Sequence, residues 1–296
     1  MGGSVSADAR NVLASKLKQY KMCRRCLERH GCSRLKPIVP CYICRGLMDK
    51  LDGIESKIYS AAKEYEFETF LIGAVLPTQI YEREDAMRAR LKIRGRENVK
   101  NQLTRELGIK LSRATGKGVD YLRPDLSVNL VIDKENNVEV STKSRPLMLF
   151  GRYTKKAPGL PQKQERCGSC WGKGCGKCGL SGLAGLDSVE GVLANAIMRH
   201  TKGQTPKFSW LGSEDRSSLV LGSGRPFYVK VFDPRKRNIN RFRIRRDSIA
   251  AALVPHVDIA NTTAHFIAKT RIQVKCERAL LKQDLAKLRS VAGSEV

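Results

Sequence analysis

The sequence is poor in aromatic residues and in acids, and it contains no long apolar run. Phe, Trp and Tyr make up 6% of the 296 residues, so broad surfaces for stacking single-stranded bases are not expected. No apolar run approaches the length needed to cross a bilayer, and the first residues lack the charged-then-apolar pattern of a secretory signal. These absences predict a cytoplasmic protein that does not associate with a membrane.

The shortage of acids leaves a large excess of positive charge. The chain has 55 Lys and Arg but 29 Asp and Glu, which gives a formal net charge of +26. This excess is larger than solubility requires and indicates a polyanionic partner, with nucleic acid as the leading candidate. Because aromatics are few, the shape and phosphates of a folded RNA fit better than sequence readout. The length and the 41% hydrophobic content suffice for two or three domains with cores.

Ten cysteines form two groups and one isolated residue, Cys276. The first group contains two Cys-x-x-Cys pairs, which together offer the four thiolates that zinc prefers: Cys23, Cys26, Cys41 and Cys44. Cys32 lies between the pairs and is expected to be a small buried residue or a spare thiol. Two pairs that never meet, or a redox motif, are the alternatives. In a reducing compartment the spacing favours a structural zinc ion over disulfides.

The second group of cysteines lies in a glycine-rich stretch that allows the backbone to fold tightly around sulfur. Its members are Cys167, Cys170, Cys175 and Cys178. They could bind a second zinc ion through a cramped loop, and free thiols or a disulfide are equally open. No redox or nucleotide cofactor is expected. A redox or metal-delivery protein is a further alternative, but it leaves the net charge of +26 unexplained.

Apolar periodicity in the first half predicts an α+β fold. Helices are predicted over residues 6–22 and 48–65, followed by a strand at 67–76. A charged helix is predicted over 82–111, with a break at Gly95. Further strands are predicted at 119–120, 125–132 and 138–140. The cations of the charged helix either face phosphates or are simply solvated.

The second half combines dense cations with two adjacent acids. A helix is predicted over 187–200 and a strand over 227–232, and between them Glu214 and Asp215 lie in a loop. Arg225, in a glycine-rich turn ten residues beyond Asp215, could keep the carboxylate ionised and bind phosphate, although such a loop is more often a solvated turn.

Seven cations lie between Arg235 and Arg246, and this segment is predicted to bind phosphates. A short helix or strand is predicted to begin within residues 248–253. Strands at 257–259 and 266–274 and a final helix over 280–291 complete the predicted elements.

Residues 208–227 resemble the catalytic segment of the archaeal and eukaryotic tRNA pseudouridine synthases that carry an N-terminal THUMP domain. The matching residues are Gly212, Glu214, Asp215, Leu221, Gly222, Gly224, Arg225, Pro226 and Phe227. The resemblance implies that Asp215 is the catalytic aspartate. Ser213 replaces an arginine of the family, and residues 216–218 replace its Val-Asp-Val.

Two further stretches carry the resemblance. Residues 67–73, 99–100, 105–108 and 124–125 resemble the THUMP region of the same synthases. A second stretch, Gly-Arg-Tyr-x-Lys at 151–155 followed by Gly-x-Pro-Gln at 159–162, implies contacts to the RNA backbone, with a plain connector as the alternative. The complete set of predicted RNA-binding residues is Arg152, Tyr153, Lys155, Arg225, Arg235, Lys236 and Arg237.

The resemblance implies a tRNA pseudouridine synthase, an isomerase, acting on uridines 54 and 55 of tRNA with structural zinc. Four segments are expected: a zinc-ribbon segment (1–46), a THUMP-like domain (47–150), a linker with a cysteine cluster (151–186) and a mixed-sheet catalytic domain (187–296).

The family continues beyond the position of Val296, so the catalytic domain is expected to be incomplete and a second polypeptide to complete it. Glu277 stands where the family has a tyrosine against the target uracil. The alternative function is a non-catalytic protein that binds zinc and tRNA through a degenerate synthase domain.

Overall fold

The computed structural model describes residues 7–255, 269–273, 275–277 and 279–290. Residues 7–255 contain one sheet of four strands and one sheet of five strands, with helices packed on both. The predicted α+β class is therefore confirmed. Within the described ranges, no helix combines the length and the apolar character that a membrane span requires.

The N-terminal segment is built from short helices and turns. Helix α1 spans Ala7–Leu17, α2 spans Arg24–Arg29, and a 3-10 turn at Leu47–Lys50 leads into α3, Leu51–Ala62. Residues 7–62 contain no strand, so the prediction of a β-ribbon around the first cysteines is wrong in its architecture. The Arg-Arg-Cys-Leu-Glu-Arg sequence of α2 lacks β-branched residues and favours a helical turn.

The first sheet has the strand order β2-β1-β3-β4. Its strands are β1 (Thr69–Val75), β2 (Gly118–Val119), β3 (Leu126–Ile132) and β4 (Val138–Ser144). Strand β1 runs parallel to β2 and β3, whereas β3 and β4 form an antiparallel hairpin. Alternate residues of β1 and β3 are buried in one core with α3, which is the pattern expected for strands that have one face against helices.

The predicted charged helix consists of two helices, α4 (Thr78–Leu91) and α5 (Val99–Thr115). The break predicted at Gly95 is confirmed: α4 ends at Lys92 (φ +57°), and Gly95 also has a positive φ of +68°. Helix α5 then restarts because the Asn98 side chain accepts a hydrogen bond from the Asn101 N–H, a contact typical of a helix N-cap.

The second sheet has the order β6-β7-β5-β9-β8. Its strands are β5 (Leu147–Lys155), β6 (Gln204–Trp210), β7 (Val220–Phe232), β8 (Phe242–Arg246) and β9 (Ile249–Pro255). Every neighbouring pair is antiparallel, so the prediction of a mixed sheet is wrong for these strands. The central strand β5 covers the start of the predicted linker.

Helix α6 (Val189–Thr201) covers one face of the second sheet. The Ser188 side chain caps the helix by accepting a hydrogen bond from the Gly191 N–H at 2.9 Å. Val189, Leu193 and Ile197 are buried in the same core as Leu149 and Val229 of the sheet. Alternate side chains of β5 and β9 therefore point towards α6, and the others point to the opposite face.

Residues 233–238 tie the second sheet to the first. The Glu66 N–H donates to the Arg235 carbonyl oxygen at 2.8 Å, and the Glu66 carboxylate accepts from the N–H groups of Arg237 (2.8 Å) and Asn238 (3.0 Å). Asp233 accepts from the Ser144 N–H at 2.9 Å. The start of the predicted phosphate-binding segment is therefore held by acids of the first half of the chain.

Residues Thr263–Val296 form a separate compact unit. Helix α7 (Lys282–Ser290) lies in this unit and confirms the helix predicted over 280–291. The strand predicted at 257–259 lies outside the described residues. Of the strand predicted at 266–274, residues 269–273 are described and are not in a strand. Residues 275–277 likewise form no strand, and Glu277 is exposed.

Candidate active site and metal centres

A buried ion pair lies beneath the loop that contains the two adjacent acids. The Lys155 Nζ and Glu214 Oε1 atoms are 3.1 Å apart, and the two side chains are 0% and 1% exposed. The Arg225 Nε atom lies 3.9 Å from the other carboxylate oxygen of Glu214. Two buried charges are stable only when good geometry and further contacts offset their lost hydration.

Lys155 supplies those further contacts through the backbone of the loop. Its Nζ donates to the carbonyl oxygens of Leu160 (2.9 Å), Asp215 (3.3 Å) and Arg216 (3.5 Å). As the last residue of β5, Lys155 points to the buried face because side chains alternate along the strand. Lys155 is fully buried. This burial weighs against its predicted contact with RNA, which stays a prediction.

Tyr153 is also fully buried. Its burial weighs against the predicted contact with the RNA backbone, which stays a prediction. Its hydroxyl accepts a hydrogen bond from Gln162 Nε2 at 3.0 Å. Its ring packs against Trp210 and Phe227, with centroids 5.6 and 6.0 Å away. Burial raises the pKa of Tyr153, and the negative charge of Glu214 raises it further. Tyr153 therefore remains protonated beside the ion pair.

Asp215 is exposed on the surface of this loop. Its carbonyl oxygen accepts from Lys155 and from the Ser218 N–H at 3.0 Å, so its backbone position is fixed from below. Its carboxylate forms no ion pair with any residue in the described part of the chain. The predicted Arg225–Asp215 pairing is replaced by an approach of Arg225 to Glu214. Asp215 is thus presented to solvent on a loop whose base is anchored.

The predicted glycine-rich turn at 222–226 lies inside strand β7. Tyr153 pairs with Arg225 and Lys155 with Val220, so the register shifts and the intervening β7 residues bulge. Gly222 and Gly224 have φ values of +64° and +80°. A Cβ atom at Gly224 would lie 2.6 Å from the Tyr153 carbonyl oxygen, so this position requires glycine.

Arg152 holds the other side of the bulge. Its Nη1 donates to the Gly224 carbonyl oxygen at 2.9 Å and to Ser223 Oγ at 3.3 Å. The residue is partly exposed, so it still has donors available to an external ligand.

The cations predicted at 235–237 have different environments. Arg237 is 11% exposed, lies 3.5 Å from Asp125 and donates to Ser144 Oγ at 3.1 Å. These contacts weigh against its predicted role in binding RNA, which stays a prediction. Burial lowers the pKa of Arg237. Arg235 pairs with Glu64 at 2.8 Å but remains 46% exposed, and Lys236 is exposed.

A more open basic surface lies on the face of the second sheet that points away from α6. A cavity of about 340 Å³ there is bordered by four arginines and floored by small residues. These residues are Arg152, Arg241, Arg243, Arg245, Ala250 and Ala252. The sequence places Arg241, Arg243 and Arg245 in the segment between Arg235 and Arg246. It does not show that they share a face with Arg152, because that common face depends on strand register.

The first cysteine group is assembled as predicted. The Sγ atoms of Cys23, Cys26, Cys41 and Cys44 all lie within 4.8 Å of one another, and all four residues are buried. Arg29 connects the group to the first sheet domain: its guanidinium lies 3.6 Å from Cys26 Sγ and pairs with Glu84 of α4 at 2.9 Å. A positive charge next to the sulfurs favours thiolates. Cys32 lies outside the group.

The second cysteine group also meets within 4.8 Å, so the cramped loop between its pairs can close. All ten cysteines are free. Burial by itself raises the pKa of Cys178, but hydrogen bonds from the N–H groups of Cys175 (3.2 Å) and Gly182 (3.3 Å) outweigh it and lower the pKa to about 6. A stabilised thiolate is the form that binds a metal ion.

These features define an α+β protein with two cysteine centres, a first domain on a four-stranded sheet and a second domain on an antiparallel sheet. Two family models match the chain: the archaeal THUMP domain of Pus10 over residues 54–133 and the C-terminal region of Pus10 over residues 148–284. The chain belongs to the Pus10 family. The family resemblance predicted from residues 67–73 and 208–227 is thereby confirmed.

Curated relatives named tRNA pseudouridine synthase Pus10 cover most of this chain. That of Nitrosopumilus maritimus is 35% identical over 263 residues, 83% of this chain and 66% of the relative. Those of Cenarchaeum symbiosum and Methanosphaera stadtmanae are 32% and 31% identical over 86% and 75% of this chain, and over 63% and 60% of their own lengths. The chain thus spans about three fifths to two thirds of these relatives. The comparisons do not support the predicted second polypeptide.

Proposed function

We propose that the protein is a tRNA pseudouridine synthase that isomerises uridines 54 and 55 of tRNA, with Asp215 as the catalytic residue. The observation that carries this proposal is the match of residues 148–284 to the C-terminal region of Pus10, which includes the Asp215 loop. The names of the relatives and the net charge of +26 agree with a tRNA substrate. A cytoplasmic location stays a prediction.

The reaction breaks the bond between ribose C1′ and uracil N1 and joins C1′ to uracil C5. The C5 proton leaves and N1 gains a proton, so the product is an isomer of uridine. A base inside a stack cannot reach the protein, so the uridine must first be extruded, at a cost of a few kcal/mol. The exposed Asp215 carboxylate is then free to act at C1′ or its neighbour, where it stabilises the positive character that develops on the sugar.

Lys155 and Glu214 position Asp215 from below. Because Lys155 Nζ donates to the carbonyl oxygens of Asp215 and Arg216, the backbone that carries the carboxylate has little freedom. A fixed carboxylate needs less reorganisation when the substrate arrives, and this is the general advantage of a preorganised site. Arg225 is 22% exposed, so it remains able to meet a phosphate of the extruded nucleotide.

The two cysteine groups fit structural zinc. Each offers four thiolate ligands and no open position, which is the coordination of a structural site. Bound zinc would fix the turns that carry these cysteines. It has no part in the proposed reaction. The division into segments 1–46, 47–150, 151–186 and 187–296 remains a proposal as well, with β5 assigned to the catalytic domain.

The test is to incubate the purified chain with an unmodified tRNA transcript and to map pseudouridine at each uridine. Conversion at positions 54 and 55 that is lost in Asp215→Asn supports the proposal. Asp187→Asn is the matched control, because Asp187 is another exposed aspartate at the start of a loop-to-helix junction. Loss of conversion in this control as well, or conversion by Asp215→Asn at the wild-type rate, would refute the role of Asp215.

A non-catalytic protein that binds zinc and tRNA is the second candidate. It is favoured by one observation: Arg225, expected to keep Asp215 ionised, approaches Glu214 instead, and Lys155 also pairs with Glu214. In that case the same experiment gives tight, salt-sensitive tRNA binding without pseudouridine at any position.

A further inference from the structure

The second cysteine centre presents one tryptophan to solvent. Trp171 lies between Cys170 and Gly172 and is 79% exposed, although tryptophan is on average a highly buried residue. Its φ of +52° is in the left-handed region, which is uncommon for a bulky side chain. A bulky residue kept in such a conformation, with its ring in water, points to a function of the ring.

The backbone around Trp171 is fixed. The Trp171 N–H donates to the Cys167 carbonyl oxygen at 2.8 Å, and the Lys173 N–H donates to that of Cys170 at 3.0 Å. A Cβ atom on Gly182 would lie 2.8 Å from the Gly172 carbonyl oxygen, so the two turns of the centre are in close contact.

The centre is also attached to the sheet. The Thr205 hydroxyl near the start of β6 contacts the carbonyl oxygens of Lys173 (3.2 Å) and Leu180 (3.1 Å). The indole of Trp171 is therefore held on a rigid support that is fixed to the second domain.

The surroundings of Trp171 are cationic. Lys173 and Lys177 are exposed on the same turns, and Arg166 packs along Gly172, where a Cβ atom would lie 3.2 Å from the Arg166 Cδ. None of these three cations forms an ion pair within the described residues. Residues 163–183 contain four cations and one acid, Glu165. An aromatic ring among unpaired cations matches a nucleotide, whose base stacks and whose phosphate is anionic.

We propose that Trp171 stacks on one unpaired base of an RNA, while Lys173, Lys177 and Arg166 contact the adjoining phosphates. The proposed partner is single-stranded RNA, because a paired base offers no free face to the indole. The inference rests on the proposed function only for the identity of the partner as RNA. It is independent of Asp215 and assigns to the second cysteine centre a role in binding as well as in structure.

The test uses the full chain with a uridine oligomer of about ten nucleotides and, for comparison, a fully paired RNA of equal length. In a Trp210→Phe background Trp171 is the sole tryptophan, so its fluorescence reports the site directly. We expect the unpaired oligomer to quench this fluorescence and the paired RNA to leave it nearly unchanged. Trp171→Ala should weaken binding of the oligomer by about tenfold, whereas Trp171→Phe should retain most of the affinity.

Charge is tested separately. Lys173→Ala combined with Lys177→Ala should reduce the slope of log affinity against log salt by about 0.7 for each phosphate that the variant no longer neutralises. Circular dichroism of each variant confirms that the fold is retained.

The proposal is overturned if Trp171→Ala binds the oligomer with wild-type affinity, or if Trp171→Phe loses as much as Trp171→Ala. It is also overturned if sedimentation shows that Trp171 is buried between two copies of the chain. A chain that makes no pseudouridine but passes these binding tests would refute the proposed function and leave this inference standing.

Discussion

The amino group of Lys155 reaches a carboxylate oxygen of Glu214 at 3.1 Å, with both side chains shielded from water. The same amino group holds the carbonyl oxygens of Leu160 and Asp215. One buried lysine thus connects the central strand of the second sheet to the loop that carries the proposed catalytic carboxylate. Its removal is expected to affect both the stability of the fold and the geometry of the site.

Lys155→Met should lower the free energy of unfolding by about 3–5 kcal/mol, because it leaves the Glu214 charge buried without a partner. The measurement is urea unfolding followed by circular dichroism. Lys156→Met is the matched control, since Lys156 is the next residue and is exposed.

Adding Glu214→Leu to Lys155→Met should recover part of the lost stability, since no unpaired charge remains. If the single variant is as stable as the control, the pair does not hold the loop.

The carboxyl group of Asp125 should make the stability of the fold depend on pH. Burial alone raises the pKa of Asp125, but the hydrogen bonds from Arg145 (2.6 Å) and the Glu68 N–H (3.1 Å), together with nearby Arg237, outweigh it and lower the pKa. Because the pKa of Asp125 is lower in the folded state, its ionised carboxylate stabilises the fold at pH values above the unfolded-state pKa, near 3.9. This contribution disappears as the pH falls below that value.

Asp125→Asn should therefore be less stable than the wild type at pH 7 and should lose less stability between about pH 5 and pH 3. Unfolding free energies measured across this range test the expectation. Asp49→Asn, at an exposed position, serves as the control. Parallel pH profiles for wild type and Asp125→Asn would contradict the assignment.

Metal content follows from the two cysteine groups. Native mass spectrometry of the purified chain should find two zinc ions. Cys23→Ser and Cys178→Ser should each lose one ion, because each removes one of four ligands. Cys32→Ser should keep both, since its sulfur contacts the His30 carbonyl oxygen at 3.8 Å and belongs to neither group. Retention of two ions by either ligand variant would show that the groups are not the metal sites.

The cations of the second sheet should differ in their effect on tRNA binding. Arg243 and Arg245 lie on the open basic face. Arg243→Ala and Arg245→Ala should therefore each reduce the slope of log affinity against log salt concentration by about 0.7–0.9 for every phosphate left without its cation. Arg237→Ala removes a buried contact to Asp125 instead and should lower stability while leaving the slope unchanged. A filter-binding titration at several salt concentrations separates the two effects. Equal slopes for all three variants and the wild type would exclude the open face as a phosphate-binding surface.

Much of the first half could be predicted from local pattern. The helix-to-strand change near residue 67, the break at Gly95 and the hairpin after β3 all depend on periodicity and on glycine or asparagine conformation, which are local properties. The prediction for the second half was weaker. The glycines at 222 and 224 look like a turn in sequence, yet they form a bulge because β7 continues its pairing with β5 on both sides of them.

The site shows the same division between local and long-range information. The spacing of the cysteines predicted that the first four sulfurs meet, and it left the second four open between zinc, free thiols and a disulfide, because ligand number and spacing are properties of the chain itself. The roles of Lys155 and Arg237 could not be predicted in this way, because a cation is equally suited to a phosphate or to a buried carboxylate. Only the positions of Glu214 and Asp125 decide between these partners.

The sequence by itself determined the α+β class, the family, the two cysteine centres and the basic character of this protein, since these depend on composition, spacing and short motifs. The tertiary structure alone decided that Glu214 is buried and Asp215 exposed, and that four arginines share one face of the second sheet. For Glu214, the physical reason is its long-range contact with Lys155 of β5. For the arginines it is strand register: a shift of one residue moves every side chain to the opposite face, and no local pattern in these strands records that choice.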